Sequence, residues 1–180
     1  MSIKVSSVKL SAKIPESDLR VLNKFCLDNN IRTKWFNRSH LVVNSRFTFV
    51  LFKKGANSWR DQHVNVLKLK MDEIQEAIAE LSWLLDIDSK EIFYEVDNIT
   101  ATSDLNMRIN IEDFIEENYD INFLLAYNPE RFPGLFIRGN SGKIILFRSG
   151  KVVFVGSKNL EEIEDLLKWV KKKCEKTKWI

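Results

Sequence analysis

The stretch "KIILFRSGKVVFV", residues 143–155, is apolar on both faces of its strands, and nothing else in the chain limits the fold so tightly. Side chains along a strand alternate between faces, and an antiparallel hairpin ordinarily wets one of them. Here Ile145 and Phe147 point one way while Ile144 and Leu146 point the other, and Val152, Val153, Phe154 and Val155 leave neither face polar. Ser149 and Gly150 between the runs predict a two-residue hairpin. From Asn159 the sequence turns helical: Leu160, Ile163, Leu166, Leu167 and Val170 form one stripe, and Asn159 with Glu162 reads as a capping box. That helix covers one face of the hairpin. The other face lies either inside a sandwich or open to a partner.

With 180 residues and 44% hydrophobic composition the chain can bury a core as one domain or two small ones. It holds no apolar run of about 18 residues, and its start, "MSIKV", lacks a secretory leader's apolar stretch. The expectation is an intracellular protein with no membrane association, nucleus and cytoplasm both open. Cys26 and Cys174 fall in helical patterns and read as reduced packing residues. No phosphate-cradling glycine loop, dinucleotide fingerprint or metal-ligand spacing occurs, and His40 and His63 read as lone surface or strand residues. The chain is therefore expected to be no enzyme, with no catalytic residues, no metal and no cofactor. A net charge of +3 permits an anionic partner. Lys168, Lys171, Lys172, Lys173, Lys176 and Lys178 read as a solvated helix face and tail, whereas Arg138, Arg148, Lys151 and Lys158 punctuate the apolar hairpins, where phosphates could meet them.

A faint internal repeat organises the chain. "NSRFTFVLFKKG" from Asn44 to Gly55 lies over "NSGKIILFRSG" from Asn140 to Gly150, and "MDEIQEAI" from Met71 lies over "LEEIEDLL" from Leu160. Upstream, "VSSVKLSA" from Val5 lies over "VDNITATS" from Val96, each followed by a short helix, Ser17 to Asp28 and Asn110 to Asn118. The unit is strand, helix, antiparallel strands, long helix, twice over, with repeats at 1–90 and 91–180.

These residues resemble the TATA-box-binding protein family. "VDNITAT" is similar to that family's first strand in its second repeat, "YNPERFPGLFIR" to its stirrup and kinking segment, and "ILFRSGKVVFVGSKN" to its central hairpin and helix start. The resemblance covers residues 92–173, and residues 3–87 follow by repeat logic. It implies an α+β fold, a pseudo-two-fold saddle of one curved antiparallel sheet with its helices on the convex face. The concave apolar face would then meet A/T-rich DNA in the minor groove and bend it, in transcription initiation. Such a surface suits a groove whose hydrogen-bonding pattern is degenerate and whose shape and deformability vary with sequence.

Carried over by matching position, the resemblance makes Phe132 and Phe147 the intercalating wedges of the second repeat and Asn98 its central minor-groove amide. Ile145, Val153 and Val155 become contacts to sugars and bases, and Arg138, Ser149, Lys151 and Lys158 contacts to phosphate. In the first repeat Phe52 keeps one wedge and Phe36 is the candidate for the other. Tyr127, Asn128, Glu130 and Arg131 form the stirrup that would meet a transcription factor B-like protein, with further transcription factors as possible partners. The first repeat departs from the pattern: Ser7 replaces an asparagine, Lys9 a small apolar residue, and the basic phosphate positions fall near Val42, Ala56 and Leu69. DNA binding weighted to the second repeat is the leading expectation. The alternative is a protein-interaction module of the same fold that has lost DNA and buries its concave face against another protein.

Overall fold

The structure, a computed structural model, describes residues 2–54, 62–119, 123–139 and 142–177. Gly55, Ala56, Asn140, Ser141 and Lys178, all used in the sequence reading, lie outside the described residues. Two compact units emerge: an N-terminal unit, Ser7–Asp97, and a C-terminal unit, Asn98 onward together with the first six residues.

The N-terminal unit takes strands β1 (Lys4–Ile14), β2 (Arg32–Phe36), β3 (His40–Asn44), β4 (Thr48–Phe52) and β5 (Gln62–Leu69), with helices α1 (Leu19–Asp28) and α2 (Ile74–Leu85). Its antiparallel order is β2-β3-β4-β5-β1. Period-two alternation buries Val8, Leu10, Ala12, Ile14, Leu41, Val43, Phe49, Leu51, Val64 and Val66 on one face. Against that face go Leu19, Leu22 and Cys26 of α1 and Ala77, Ile78, Leu81 and Leu84 of α2. Asp18 starts α1 by accepting the Arg20 N–H at 2.8 Å. α2 starts later than Met71 because a single 3-10 turn, Met71–Glu73, precedes it.

The C-terminal unit repeats the plan with β6 (Phe93–Asp104), whose residues from Asn98 on belong to it, then α3 (Ile111–Glu117), β7 (Leu124–Asn128), β8 (Phe132–Gly139), β9 (Gly142–Phe147), β10 (Lys151–Ser157) and α4 (Leu160–Cys174). Its order is β6-β10-β9-β8-β7. Ile99, Ala101, Leu135, Ile137, Ile144, Leu146, Val152 and Phe154 are buried, as are Ile111 and Phe114 of α3 and Ile163, Val170 and Cys174 of α4. Each such large apolar side chain contributes about 1.5–3 kcal/mol by leaving water. The class is α+β, as expected.

Three local expectations need correction. The β9–β10 loop has three residues, Arg148 to Gly150, because Val152 pairs with Leu146 and Gly150 adopts φ +85 to close the turn. A Cβ on Gly150 would stand 2.1 Å from the Met107 carbonyl oxygen, so only glycine fits. At α4, Asn159 accepts the Glu162 N–H at 2.9 Å, but the Glu162 carboxylate reaches back to the Lys158 N–H at 3.0 Å, one residue before the cap. Leu160 is exposed and Leu166 half-buried; Ile163, Leu167, Val170 and Cys174 carry the stripe.

Candidate nucleic-acid interface

Each unit leaves the second face of its sheet uncovered by its helices, and this face holds the predicted contacts. In the C-terminal unit the register lines up Thr102, Val153, Ile145 and Phe136 in one row, and Thr100, Val155, Lys143 and Arg138 in the next. The apolar members are half-buried, too wet for core and too greasy for ordinary surface. Phe132 and Phe147 lie on this face, their rings edge-on with centroids 5.8 Å apart, and Phe132 also stacks on Phe136 at 5.0 Å. Gly134 pairs opposite Phe147, and a Cβ there would meet the Phe132 ring at 2.6 Å and Ile145 at 2.7 Å. Its hydrogen lets the rings lie over the strand.

Asn98 is oriented by backbone. Its Oδ1 accepts the Gly156 N–H at 2.6 Å, where Gly156 has φ +96 and the β6–β10 register shifts between Val155 and Ser157. With the carbonyl engaged, the amide nitrogen remains as the donor, the polarity that groove acceptors on A·T pairs require. Arg138, Ser149, Lys151 and Lys158 are exposed around the apolar rows. Among the described residues no ion pair holds any of these three cations.

Arg148 behaves differently from its basic neighbours. Its Nε donates to Tyr127 Oη at 3.2 Å and its Nη2 pairs with Glu112 in the first turn of α3. The Tyr127 hydrogen bond and then the nearby charges hold its pKa above the usual guanidinium value. It is a strut between hairpin and helix. Tyr127 is accordingly half-buried, while Asn128, Glu130 and Arg131 are exposed in a turn closed by the Arg131 N–H donating to the Asn128 carbonyl at 3.1 Å.

In the N-terminal unit Phe36 and Phe52 flank His40, which stacks on Phe36 at 5.3 Å and 4° and meets Phe52 at 5.3 Å and 37°. The strand register, Phe36 to His40 to Phe52, dictates that order. Lys34 lies 4.8 Å over the Phe36 ring and Lys53 5.4 Å over Trp35. Arg46 pairs with Glu76 of α2, and Lys54 with Glu16 at 2.6 Å. Val42 is on the open face, but Leu69 is fully buried and cannot mark a phosphate position. Lys9 is on the open face and pairs with Asp97 at 2.5 Å.

Sequence reasoning missed His40, Phe136, Lys143 and Gly134. Counting by twos from Phe132 reaches Gly134 and Phe136, so the signal was present; His40 needed the hairpin register. Among the described residues no group of three metal-ligating side chains occurs, and no helix is long and apolar enough to cross a membrane.

The sequence model described as "Transcription factor TFIID (or TATA-binding protein, TBP)" matches residues 93–176. A TATA-box-binding protein of Methanococcus aeolicus is 36% identical over 121 residues, 65% of this chain and 59% of that protein. A TBP-related factor of Drosophila melanogaster is 30% identical over 158 residues, 84% of this chain and 66% of that protein. The chain thus spans slightly under two thirds of each relative. The solved structure of Methanococcus jannaschii TBP matches with a TM-score of 0.80 at 23% identity, covering 98% of this chain and all of that one. Its fold is the fold found here.

Proposed function

The chain is a divergent member of the TATA-box-binding protein family, and from that premise we propose that it is a transcription initiation factor that binds A/T-rich DNA through the minor groove and bends it. The carrying observation is the open face of the C-terminal unit: an amide donor fixed at Asn98, half-buried apolar rows, and the Phe132 and Phe147 rings at one end. Acceptor-only A·T edges suit a surface with one donor and many methyls. Phe132 and Phe147 then enter base steps as wedges, exchanging unstacking for wider contact along the kinked duplex. Arg138, Lys151 and Lys158 hold phosphates alongside, and Ile145, Val153 and Val155 meet sugars and base edges.

Several relatives are named for binding the TATA box, which favours this reading over an interaction module that has abandoned DNA. The exposed turn at Asn128, Glu130 and Arg131 receives a transcription factor B-like protein, with Arg148 fixing Tyr127 behind it. Equilibrium titration of an A/T-rich duplex and a G·C-rich control at two salt concentrations tests the proposal. Tighter binding to the A/T duplex, weakening as salt rises, supports it; equal affinity for both duplexes removes it.

A further inference from the structure

The two units carry their open-face cations on different strands. Register allows a residue-by-residue comparison, because Phe52 and Phe147 are equivalent in the internal repeat and lie opposite His40 and Gly134. Counting outward from these pairs, the C-terminal row Leu124, Arg138 and Lys143 corresponds to the N-terminal row Arg32, Asn44 and Thr48. The next row sets Ala126 and Phe136 against Lys34 and Val42. In the C-terminal unit the cations of these rows stand on the inner strands β8 and β9. In the N-terminal unit they stand on the edge strand β2, and the inner positions are neutral, with Thr48 Oγ1 donating to Asn44 Oδ1 at 3.2 Å.

Alternation along β2 fixes the face these cations use. Thr33 and Trp35 turn toward the helices: Thr33 Oγ1 donates to Asn23 of α1 at 2.7 Å, and Trp35 is in register with buried Leu41 and Leu51. Arg32, Lys34 and Phe36 therefore share the open face, where Lys34 Nζ lies 4.8 Å over the Phe36 ring and that ring stacks on His40. Both cations are exposed, and among the described residues no ion pair holds either. Lys53 differs, because the ring it lies over, Trp35, faces the helices. Arg46 and Lys54 are held by Glu76 and Glu16.

We infer that Arg32 and Lys34 are phosphate contacts of the N-terminal unit, carried on edge strand β2 in place of the inner positions where the C-terminal unit has Arg138 and Lys143. The inference rests on the minor-groove function proposed above and adds a second grip to it. An apolar face laid on sugars and base edges leaves the phosphates at its margins, where cations fix the duplex in place. Neighbouring strands are about 4.8 Å apart, a step that an arginine or lysine stem spans. The neutral Asn44 and Thr48 release no counterion from a phosphate, whereas Arg32 and Lys34 do.

Fluorescence anisotropy with a short A/T-rich duplex across a salt series tests the assignment, with urea midpoints checking that each variant is folded. Arg32→Leu with Lys34→Ala, which installs the C-terminal unit's residues on the edge strand, should lower the slope of log affinity against log salt by about 1.8. Adding Asn44→Arg and Thr48→Lys, which completes the C-terminal unit's row, should restore the wild-type slope. An unchanged slope in the first variant overturns the inference alone and leaves the edge cations the role of discouraging strand pairing between molecules. A lowered slope that the second variant does not restore overturns it too. Wild-type protein that fails to bind the A/T-rich duplex overturns the functional reading beneath it as well.

Discussion

Removing Lys151 and Lys158 should flatten the salt dependence of DNA binding, while removing Lys53 and Lys54 should not. The structure separates these cations by what already holds them. Lys151 and Lys158 are exposed beside the apolar rows of the C-terminal unit. Lys54 is bonded to Glu16 at 2.6 Å and Lys53 lies over the Trp35 ring, so neither is poised for phosphate. Each phosphate neutralised on duplex DNA contributes about 0.9 to the slope of log affinity against log salt, so Arg138, Lys151 and Lys158 together contribute about 2.7. The double variant Lys151→Ala with Lys158→Ala should lower the slope by about 1.8. Over a roughly fourfold rise in salt each contact changes affinity about 3.5-fold, so three contacts lose about 40-fold and the one remaining in the variant about 3.5-fold. Fluorescence anisotropy across a salt series measures both slopes on one duplex. An unchanged slope in the Lys151/Lys158 variant, or an equal drop in a Lys53→Ala/Lys54→Ala variant, would show that DNA is gripped elsewhere.

Phe147→Ala and Phe132→Ala should reduce DNA bending yet destabilise the fold by less than the roughly 3–5 kcal/mol expected for Phe154→Ala, since both rings are half-buried and Phe154 is fully buried; urea unfolding of the three variants gives the comparison. Glu130→Arg should leave duplex affinity intact and abolish recruitment of a transcription factor B-like protein to the DNA complex, and unchanged recruitment in a gel-shift assay would reject the stirrup assignment. Gly150→Ala should cost at least about 1–2 kcal/mol from its left-handed backbone alone, before the Met107 clash, read as a lowered urea midpoint. Burial pushes the Cys174 thiol up to about 12 from 9.0. Its folded pKa is raised, so below pH 9.0 both states keep the proton, and between pH 9.0 and about 12 only the unfolded thiol ionises. Stability should therefore fall with rising pH across that window, and Cys174→Ala should flatten the decline in urea midpoint.

Much of this was legible before any coordinates, for reasons that differ by residue. Period-two alternation and the doubly apolar strands placed Ile145, Phe147, Val153 and Val155 opposite Ile144, Leu146, Val152 and Phe154, and one set is indeed buried and the other half-buried. Capping chemistry located the start of α4 and the internal repeat that of α3, and both helices have their asparagine caps in place. What sequence could not deliver was register across strands. His40 between Phe36 and Phe52 depends on a three-residue loop at Asn37 and Arg38, both with positive φ, and no local pattern announces the stack. Leu69 was misjudged because the β1–β5 register shifts between Val8 and Leu10, near Lys68 with φ 61, and sets buried Leu69 opposite Val8. Arg148 looked like its basic neighbours until Tyr127 and Glu112 were seen to engage it, a pairing between residues distant in sequence.

The central claim is bending of A/T-rich DNA through the minor groove, and energy transfer between dyes at the two ends of a short duplex measures it directly. Saturating wild-type protein should bring the ends of an A/T-rich duplex closer and leave a G·C-rich duplex of equal length unchanged, while Phe132→Ala/Phe147→Ala protein binds with a smaller change. Binding with no change in end-to-end distance, or the same change on both duplexes, would contradict the account.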